Sequence, residues 1–287
     1  MLFRSDKEQD RIQHILTTGA QSGNVFLAYR NVQEIDELID RWKNSHAALY
    51  DFIAADGVGH TIWKIDDPAS LSQLTTLFAE RVPATYIADG HHRAASAAKV
   101  RKQQAGKPAA EGQHFLTTLF PANQLHILDY NRVVKDLHGL EPEELISALQ
   151  DDFDLTLMGT EPYRPEVLHD FGMYLNGKWY KLTARPDSYS TDPIGVLDVT
   201  ILSENILKKH LGIKDQRTDQ RIDFVGGIRG LRELERRVSS GEMAVAFSLY
   251  PVSIEQLFAI ADSGEIMPPK STWFEPKLRD GLLIHLI

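Results

Sequence analysis

The chain has 287 residues, 43% of them hydrophobic and 25% charged, which is enough for one large globular domain or two small ones. The net charge of −9 disfavours nucleic acid as a partner, and the absence of cysteine excludes disulfides, thiolate metal ligands and a cysteine nucleophile. No apolar stretch is long enough to span a membrane, and the charged N-terminus lacks a signal-peptide pattern. We therefore expect a soluble, cytoplasmic protein with neither a membrane nor a nucleic-acid partner.

Helical and strand patterns alternate along the first part of the chain. Apolar residues three or four positions apart predict helices, short apolar runs predict strands, and Asp-Gly between two runs predicts a hairpin. Through residue 104 these patterns predict a helix over 6–18, a strand over 25–29, a helix over 32–45, a hairpin of 49–54 and 59–65, a capped helix over 70–79, a strand over 84–88 and a helix over 91–104.

The remainder begins with a polar loop and continues with the same mixture of elements. The patterns predict a loop over 103–113, strands over 114–120 and 125–130 (the latter leading into 131–134), a helix over 141–149, a hairpin within 172–182, a helix over 199–211, a strand over 221–225, a helix over 230–238, a strand over 243–250, a helix over 253–263 and a strand over 281–287. This mixture predicts an α+β fold of mixed sheets with hairpins and flanking helices. We treat residues 1–287 as one region, with a soft sub-boundary near 103–113 or 160–165.

The most informative segment is an apolar strand that runs into Asp89-Gly90 and then into a helix beginning His91-His92-Arg93. A helix start leaves backbone N–H groups without partners and carries partial positive charge. Gly90 permits a sharp turn and a close approach of a ligand to the backbone. This arrangement predicts a phosphate or carboxylate site, with Asp89 or a histidine available for proton transfer or metal contact.

The same segment also has a structural interpretation. Asp89 is a good helix cap, Gly90 a good turn residue, and the two histidines would then lie in solvent. A zinc site is the weaker reading, because adjacent histidines on one helix do not face the same way. We favour the anion site over the cap.

A second strand–glycine–helix passage follows Asp223 and contains Gly226, Gly227 and Arg229. Its glycines could hold a phosphate in backbone N–H groups, with the arginine as a clamp. It is not a P-loop, because no Gly-Lys-Ser/Thr follows, and it lacks the GxGxxG spacing. A tight turn into an amphipathic helix explains the passage equally well.

The segment Met267–Lys277 holds three prolines, which stiffen it, and the polar residues Lys270, Ser271 and Thr272. A cation and two hydroxyls are groups that bind phosphate, so the segment could be an anion site. The structural alternative is a rigid loop whose aromatic residues pack into the core. Two further arginines, Arg30 and Arg132, end apparent strands and are lesser candidates for the same chemistry.

Three strings together carry a resemblance to a known family: YIADGHHR (Tyr86–Arg93), RIDFVGG (Arg221–Gly227) and MPPKSTWFEPK (Met267–Lys277). On these motifs the chain, from about Val25 to its C-terminus, resembles the bacterial and archaeal family called domain of unknown function 1015. Members of that family usually carry a further segment before this region. The resemblance therefore implies a chain that lacks the usual N-terminal segment and any site residue within it.

The Asp-Gly-His-His-Arg element is similar to one shared by ParB-like partition proteins, sulfiredoxins and free-serine kinases, in which it holds nucleotide phosphates. This resemblance implies a ParB/sulfiredoxin-like phosphate-binding core. It also implies that His91, His92 and Arg93 contact phosphate oxygens of ATP or ADP, and that Asp89 orients them or a bound Mg²⁺. Fold resemblance alone does not define the reaction.

Three functions remain open from these observations. The first is a small-metabolite phosphotransferase with free serine as the first acceptor, in which Asp89 or Asp223 takes the substrate proton, His91, His92 and Arg93 neutralise phosphates, and Lys270 and Arg229 act as clamps. The second is a nucleotide-gated switch of the ParB type, which the acidic charge and the lack of a convincing helix-turn-helix disfavour. The third is an inactive, truncated family member. A sulfiredoxin-like reductase is excluded because the chain has no cysteine.

Overall fold

The computed structural model describes residues 5–104, 113–274 and 278–287, in which helices and strands follow one another in mixed order. These residues form two compact units: unit 1 comprises residues 1–125 and 278–287, and unit 2 comprises residues 126–277. The division into units falls after Leu125, and the soft boundary near 103–113 or 160–165 stays a prediction. Most of the predicted loop at 103–113 lies outside the described residues. The predicted α+β class is confirmed.

Unit 1 contains most of the short strands and half of the α-helices. Its elements in chain order are α1 (Ser5–Thr18), β1 (Ala20–Gln21), β2 (Val25–Tyr29), α2 (Gln33–Ser45), β3 (Tyr50–Ile53), β4 (Gly59–Ile62), α3 (Pro68–Arg81), β5 (Tyr86–Asp89), α4 (His91–Gln103) and β6 (Thr117–Pro121).

Unit 2 contains the largest sheet. Its elements are β7 (Ile127–Leu128), β8 (Tyr130–Val134), α5 (Pro142–Leu149), β9 (Phe153–Gly159), β10 (Asp170–Leu175), β11 (Lys178–Ala184), α6 (Asp198–Leu202), β12 (Ile222–Gly226), α7 (Leu231–Ser239), β13 (Val245–Leu249), α8 (Ile254–Asp262) and β14 (Trp273–Phe274). The chain then returns to unit 1 and ends with β15 (His285–Leu286).

The centre of unit 1 is a three-stranded sheet in the order β5-β2-β6. Strand β2 pairs antiparallel with β5 and parallel with β6, so both of its edges are hydrogen-bonded, and all five of its residues are buried. Helix α1 packs on α4 through Ile12, Ile15 and Val100. A separate pair, β1 with β15, ties the last residues of the chain to the segment that precedes β2.

The centre of unit 2 is a six-stranded antiparallel sheet in the order β12-β8-β13-β10-β11-β9. Phe153, Phe171 and Phe247 are fully buried in its core. Asn176 and Gly177 both have positive φ, and they join β10 to β11 as the Asn-Gly hairpin signal predicts. Strands β7 and β14 form a small separate pair.

Several boundaries differ from the sequence-based predictions. Strand β9 was not predicted, and only two residues of the strand predicted over 281–287 pair as β15. The predicted helix over 199–211 is α6 followed by a π-helical turn, Ser203–Lys208. Arg132 does not end a strand but lies inside β8 and is buried. Within the described ranges, no helix is both long and apolar enough to cross a bilayer.

Candidate functional site

The strand–turn–helix predicted around Gly90 is present in unit 1. Strand β5 ends at Asp89, Gly90 has φ of 91° and ψ of 24°, and α4 begins at His91. The Asp89 carboxylate accepts a hydrogen bond from the Gly90 N–H at 2.7 Å, so it supports the turn itself, and the helix has no side-chain cap at Gly90. A residue with a side chain would be strained at Gly90, because its left-handed conformation suits glycine.

Arg93 folds back over this turn. A Cβ atom added at Gly90 would lie 3.0 Å from Arg93 Nε, and one added at Gly23 would lie 3.2 Å from Arg93 Cδ. The two glycines therefore leave the space that the arginine side chain occupies. In the part of the chain that the structure describes, the buried Arg93 Nε has no hydrogen-bond partner. Its guanidinium has one loose ion pair, with Asp280 Oδ1 at 4.0 Å.

Asn24 adds a second unsatisfied polar group beside the turn. Its Nδ2 donates to Thr118 Oγ1 at 2.9 Å, and its Oδ1 is buried without a partner among the described residues. The Thr118 hydroxyl can donate as well as accept, so exchanging the two ends of the amide would leave the Nδ2 donor unpaired instead. We call Gly23, Asn24, Gly90 and Arg93 the α4 cradle.

The two histidines occupy the exposed first turn of α4. Partial desolvation lowers the pKa of His91, and the charge of His92 acts in the same direction, while the charge of Asp89 opposes both. His91 is therefore mostly neutral at pH 7 and can act as a hydrogen-bond donor or as a proton acceptor. Among the described residues, no group of three His, Asp or Glu side chains is placed to hold a metal ion, so a Mg²⁺ ion at Asp89 would need oxygens from a ligand.

The second glycine passage lies in unit 2 and is packed tightly. A Cβ at Gly226 would meet the Trp273 ring at 2.7 Å, and one at Gly227 would meet Asp129 Oδ1 at 2.2 Å. The Gly227 N–H already donates to the Asp129 carbonyl at 2.8 Å. Both glycines are therefore explained by close packing, while Arg229, at the end of the short 3₁₀ turn, is exposed.

The proline-rich segment also lies in unit 2, and its last residues, 275–277, fall outside the described ranges. The Lys270 ammonium lies 5.5 Å from the Tyr130 ring and 5.7 Å from the Phe224 ring, within cation–π range. Ser271 is buried, and its hydroxyl donates to the Pro268 carbonyl at 2.7 Å. Thr272 follows it, half-buried. Lys270 has positive φ, a conformation uncommon for a residue with a side chain.

Arg132 holds this segment to β8. Its guanidinium is fully buried, donates to the carbonyls of Tyr130 and Lys270, and lies 5.5 Å from the Phe224 ring. Burial lowers the pKa of Arg132 to about 10. The arginine therefore has a packing role inside the sheet, which its position in an apolar strand did not reveal.

Asp223 is held by cations rather than left available as a base. Its carboxylate accepts a hydrogen bond from Arg237 at 2.7 Å. Burial alone would raise the pKa of Asp223, but the Phe224 N–H and the charges of Arg237 and Lys270 outweigh it and lower the pKa. A carboxylate stabilised in its charged form is a weaker base.

The predicted site residues thus belong to both units. Unit 1 brings together Asp89, Gly90, His91, His92 and Arg93, and unit 2 contains Asp223, Gly226, Gly227, Arg229, Lys270, Ser271 and Thr272. Sequence analysis missed Gly23, Asn24 and Asp280. A Gly-Asn pair just before a buried strand was a local signal for the first two, but nothing local to Asp280 indicates that it lies beside Arg93.

The fold and the α4 cradle define an α+β protein with a basic, uncapped helix start. The chain belongs to the family described as "Protein of unknown function (DUF1015)", whose model matches residues 3–200. The match includes the Tyr86–Arg93 motif, whereas the other two quoted motifs lie beyond it. The ParB/sulfiredoxin relationship and the absent N-terminal segment stay predictions. No curated protein is similar enough to this sequence to count as a match.

Several solved structures are similar to this chain at low identity. SbnI with a C-terminal truncation, from Staphylococcus aureus, is 13% identical with a TM-score of 0.48, and the alignment covers 99% of this chain and 81% of that chain. A variant of free serine kinase in complex with AMP is 10% identical with a TM-score of 0.44, covering 96% and 82%. A free serine kinase variant in complex with ADP is 12% identical with a TM-score of 0.41, covering 95% and 81%.

Proposed function

We propose that the α4 cradle binds a phosphate group of a nucleotide, ATP or ADP, and that the protein is a phosphotransferase acting on a small hydroxyl metabolite. Free serine is the first acceptor to test. The observation that carries the proposal is the buried Arg93 Nε, which has no partner among the described residues and lies over the left-handed Gly90.

An unpaired buried donor is costly, and a phosphate oxygen would satisfy it. The same oxygen would lie at the start of α4, where the helix has no side-chain cap at Gly90 and its partial positive charge favours an anion. Arg93 supplies a planar fork that suits phosphate geometry, and the spare amide atom of Asn24 adds a further polar contact. The residues of the cradle thus fit a phosphate in charge and in hydrogen-bonding capacity.

Phosphoryl transfer depends on positioning and charge neutralisation more than on covalent chemistry. In this proposal Arg93 and the N–H groups of α4 neutralise the phosphate, His91 and His92 contact its oxygens, and Asp89 takes the acceptor's proton. If Mg²⁺ accompanies the nucleotide, Asp89 is the carboxylate that would contact it. Asp89 lies at the start of α4 beside the cradle, whereas Asp223 lies in unit 2, where its carboxylate pairs with Arg237.

The unit 2 residues are a secondary part of the proposal. Lys270 and Arg229 are exposed cations, and the Thr272 hydroxyl can donate a hydrogen bond, whereas the Ser271 hydroxyl already donates to the Pro268 carbonyl. We propose Lys270, Arg229 and Thr272 as phosphate contacts within unit 2 itself, separately from the α4 cradle. The packing of Gly226 and Gly227 does not require a ligand, so we give these two glycines a structural role first.

A thermal-shift panel tests nucleotide binding. ATP, ADP, CTP and pyrophosphate are each compared with and without Mg²⁺, using wild type, Arg93→Ala and the matched variant Arg81→Ala, which removes an exposed arginine of unit 1. A nucleotide at a hundredfold excess over its Kd should stabilise wild type by about 2.7 kcal/mol, which corresponds to roughly 5 °C or more. Arg81→Ala should keep this shift and Arg93→Ala should lose it. No shift with any ligand would contradict the proposal.

Turnover separates the functions that share nucleotide binding. A phosphotransferase should consume nucleotide quickly only when its acceptor, beginning with serine, is present. A nucleotide-gated switch should bind nucleotide and hydrolyse it slowly with or without a small hydroxyl compound, and an inactive member should do neither. Acceptor-dependent turnover that survives Arg93→Ala would place the chemistry elsewhere.

A further inference from the structure

The C-terminal segment of unit 1 is fixed beside the α4 cradle by backbone contacts. The Gly281 N–H donates to the Ser22 carbonyl at 2.9 Å, and the Ile287 N–H donates to the Gly19 carbonyl at 2.9 Å. Between them, β15 pairs with β1. The position of Asp280 is therefore set by main-chain hydrogen bonds on its C-terminal side.

This anchoring places a carboxylate beside Arg93. Asp280 Oδ1 lies 4.0 Å from Arg93 NH1, and a Cβ atom at Gly23 would lie 2.9 Å from the same oxygen. Gly23 thus leaves room for both members of the pair. The Asp280 side chain is 65% exposed and that of Arg93 is 24% exposed, so the acid lies on the solvent side of the guanidinium.

We propose that Asp280 is the resident counter-ion of Arg93, and that a phosphate or diphosphate group bound in the α4 cradle displaces it. This inference rests on the proposed function, and it makes Asp280 a residue that lowers the affinity of the α4 cradle for phosphate. The C-terminal segment then acts as an internal competitor, because its carboxylate and the incoming anion are alternative partners of one arginine.

The contact has the properties that such an exchange requires. At 4.0 Å the pair is too long for a hydrogen bond, and it is exposed to water, so breaking it costs little. A phosphate that places two or three of its oxygens at the start of α4 would form shorter, charge-assisted hydrogen bonds to the Arg93 guanidinium. The Asp280 carboxylate would then repel the anion bound in the cradle. Release of the C-terminal segment that carries Asp280 would therefore be coupled to anion binding.

Titration of pyrophosphate without Mg²⁺ tests the inference. Asp280→Asn removes the competing charge and Asp280→Glu keeps it. Asp40→Asn is the matched control, because Asp40 is a 62% exposed acid of unit 1 that pairs with Lys43 instead. We expect Asp280→Asn to bind pyrophosphate about two- to fivefold more tightly, with the gain shrinking at high salt, and both other variants to bind like wild type.

The outcomes separate this inference from the proposed function. Pyrophosphate affinity that depends on Arg93 but is unchanged or weakened in Asp280→Asn would overturn the inference and leave the phosphate site intact. A gain shared equally by Asp40→Asn would also overturn it, since the effect would then be one of net charge. If pyrophosphate binds neither wild type nor Asp280→Asn, the proposed function and this inference fail together.

Hydrogen exchange gives a second readout that net charge alone would not move. The Gly281 amide is bonded to Ser22 and reports the anchoring of the segment. We expect pyrophosphate to speed exchange at Gly281 in wild type and to leave it unchanged in Asp280→Asn. Slower exchange in wild type with the ligand bound would show that the segment closes over the anion, which contradicts displacement.

Discussion

Two passages in this protein share the order strand, glycine, helix but differ in the environment of the glycine. At Gly90 in unit 1, the space that a side chain would fill holds the Arg93 guanidinium, whose Nε has no partner in the described ranges, and the turn is left-handed. At Gly227 in unit 2, that space holds the carboxylate of Asp129, and the glycine N–H is already bonded. A glycine turn into a helix thus indicates a ligand site where an unsatisfied polar group lies against the glycine itself, as Arg93 Nε does at Gly90.

The largest expected effect is on the packed passage. In Gly227→Ala the new methyl would meet the buried Asp129 carboxylate at 2.2 Å, and Asp129 also holds Arg164 and Asn131. We expect the free energy of unfolding to fall by about 2–4 kcal/mol, measured by urea denaturation. Gly59→Ala, which has nothing within 4 Å, is the control.

If Gly227→Ala folded with wild-type stability, the packing explanation of this passage would be wrong. Any protein that still folds should bind pyrophosphate with unchanged affinity. Lost affinity in the folded variant would mean that the unit 2 passage takes part in anion binding.

A smaller effect on stability, but a large one on binding, is expected at Gly90. Gly90→Ala and Gly57→Ala both put a side chain at positive φ, so each should cost about 1–2 kcal/mol. Only Gly90→Ala also crowds Arg93, because a Cβ at Gly57 has nothing within 4 Å. Titration should show pyrophosphate affinity lowered at least about tenfold in Gly90→Ala alone. Equal affinities in the two variants would contradict the cradle.

The smallest expected effect is the pH dependence of binding. Because burial lowers the pKa of His91 in the free protein, the imidazole is mostly neutral at pH 7.5 and gains a proton as the pH falls. A nearby phosphate would raise that pKa again, so affinity should increase by about two- to fivefold from pH 7.5 to pH 5.5 beyond the ligand's own protonation.

In His91→Gln, the pH dependence of affinity that remains is due to protonation of pyrophosphate itself. His14→Gln, which changes an exposed residue of α1, should show the same pH dependence as wild type. The measurement is a series of pyrophosphate titrations across this pH range. Identical pH profiles for wild type and His91→Gln would remove His91 from the site. The lowered pKa of His91 also affects stability. The free energy of unfolding is higher at high pH, begins to fall as the pH drops below the unfolded pKa, and has lost the contribution of His91 once the pH has fallen through the lowered folded pKa.

The local parts of this structure could be predicted from sequence because their causes are local. Asp67 caps α3 by accepting from the Ser70 N–H at 2.8 Å, and Asn176-Gly177 forms the hairpin that its dipeptide signals. The turn at Gly90 was predicted for the same reason. Each of these features is set by neighbours a few residues apart.

The parts that could not be predicted depend on residues far apart in the chain. Arg132 looked like a strand-end arginine, but it lies inside β8 because β12 and β13 pair on either side. Asp280 reaches Arg93 only because the C-terminal segment pairs with β1. No local pattern encodes either pairing, so the counter-ion of the arginine could be found only from the structure.

The central claim is that Arg93 holds an anion in the α4 cradle. Calorimetric titration of pyrophosphate into wild type, Arg93→Ala and Arg81→Ala tests it most directly. The account predicts saturable binding at one site in wild type and Arg81→Ala, and affinity weakened at least about tenfold in a folded Arg93→Ala. Equal affinity in Arg93→Ala and wild type would contradict it.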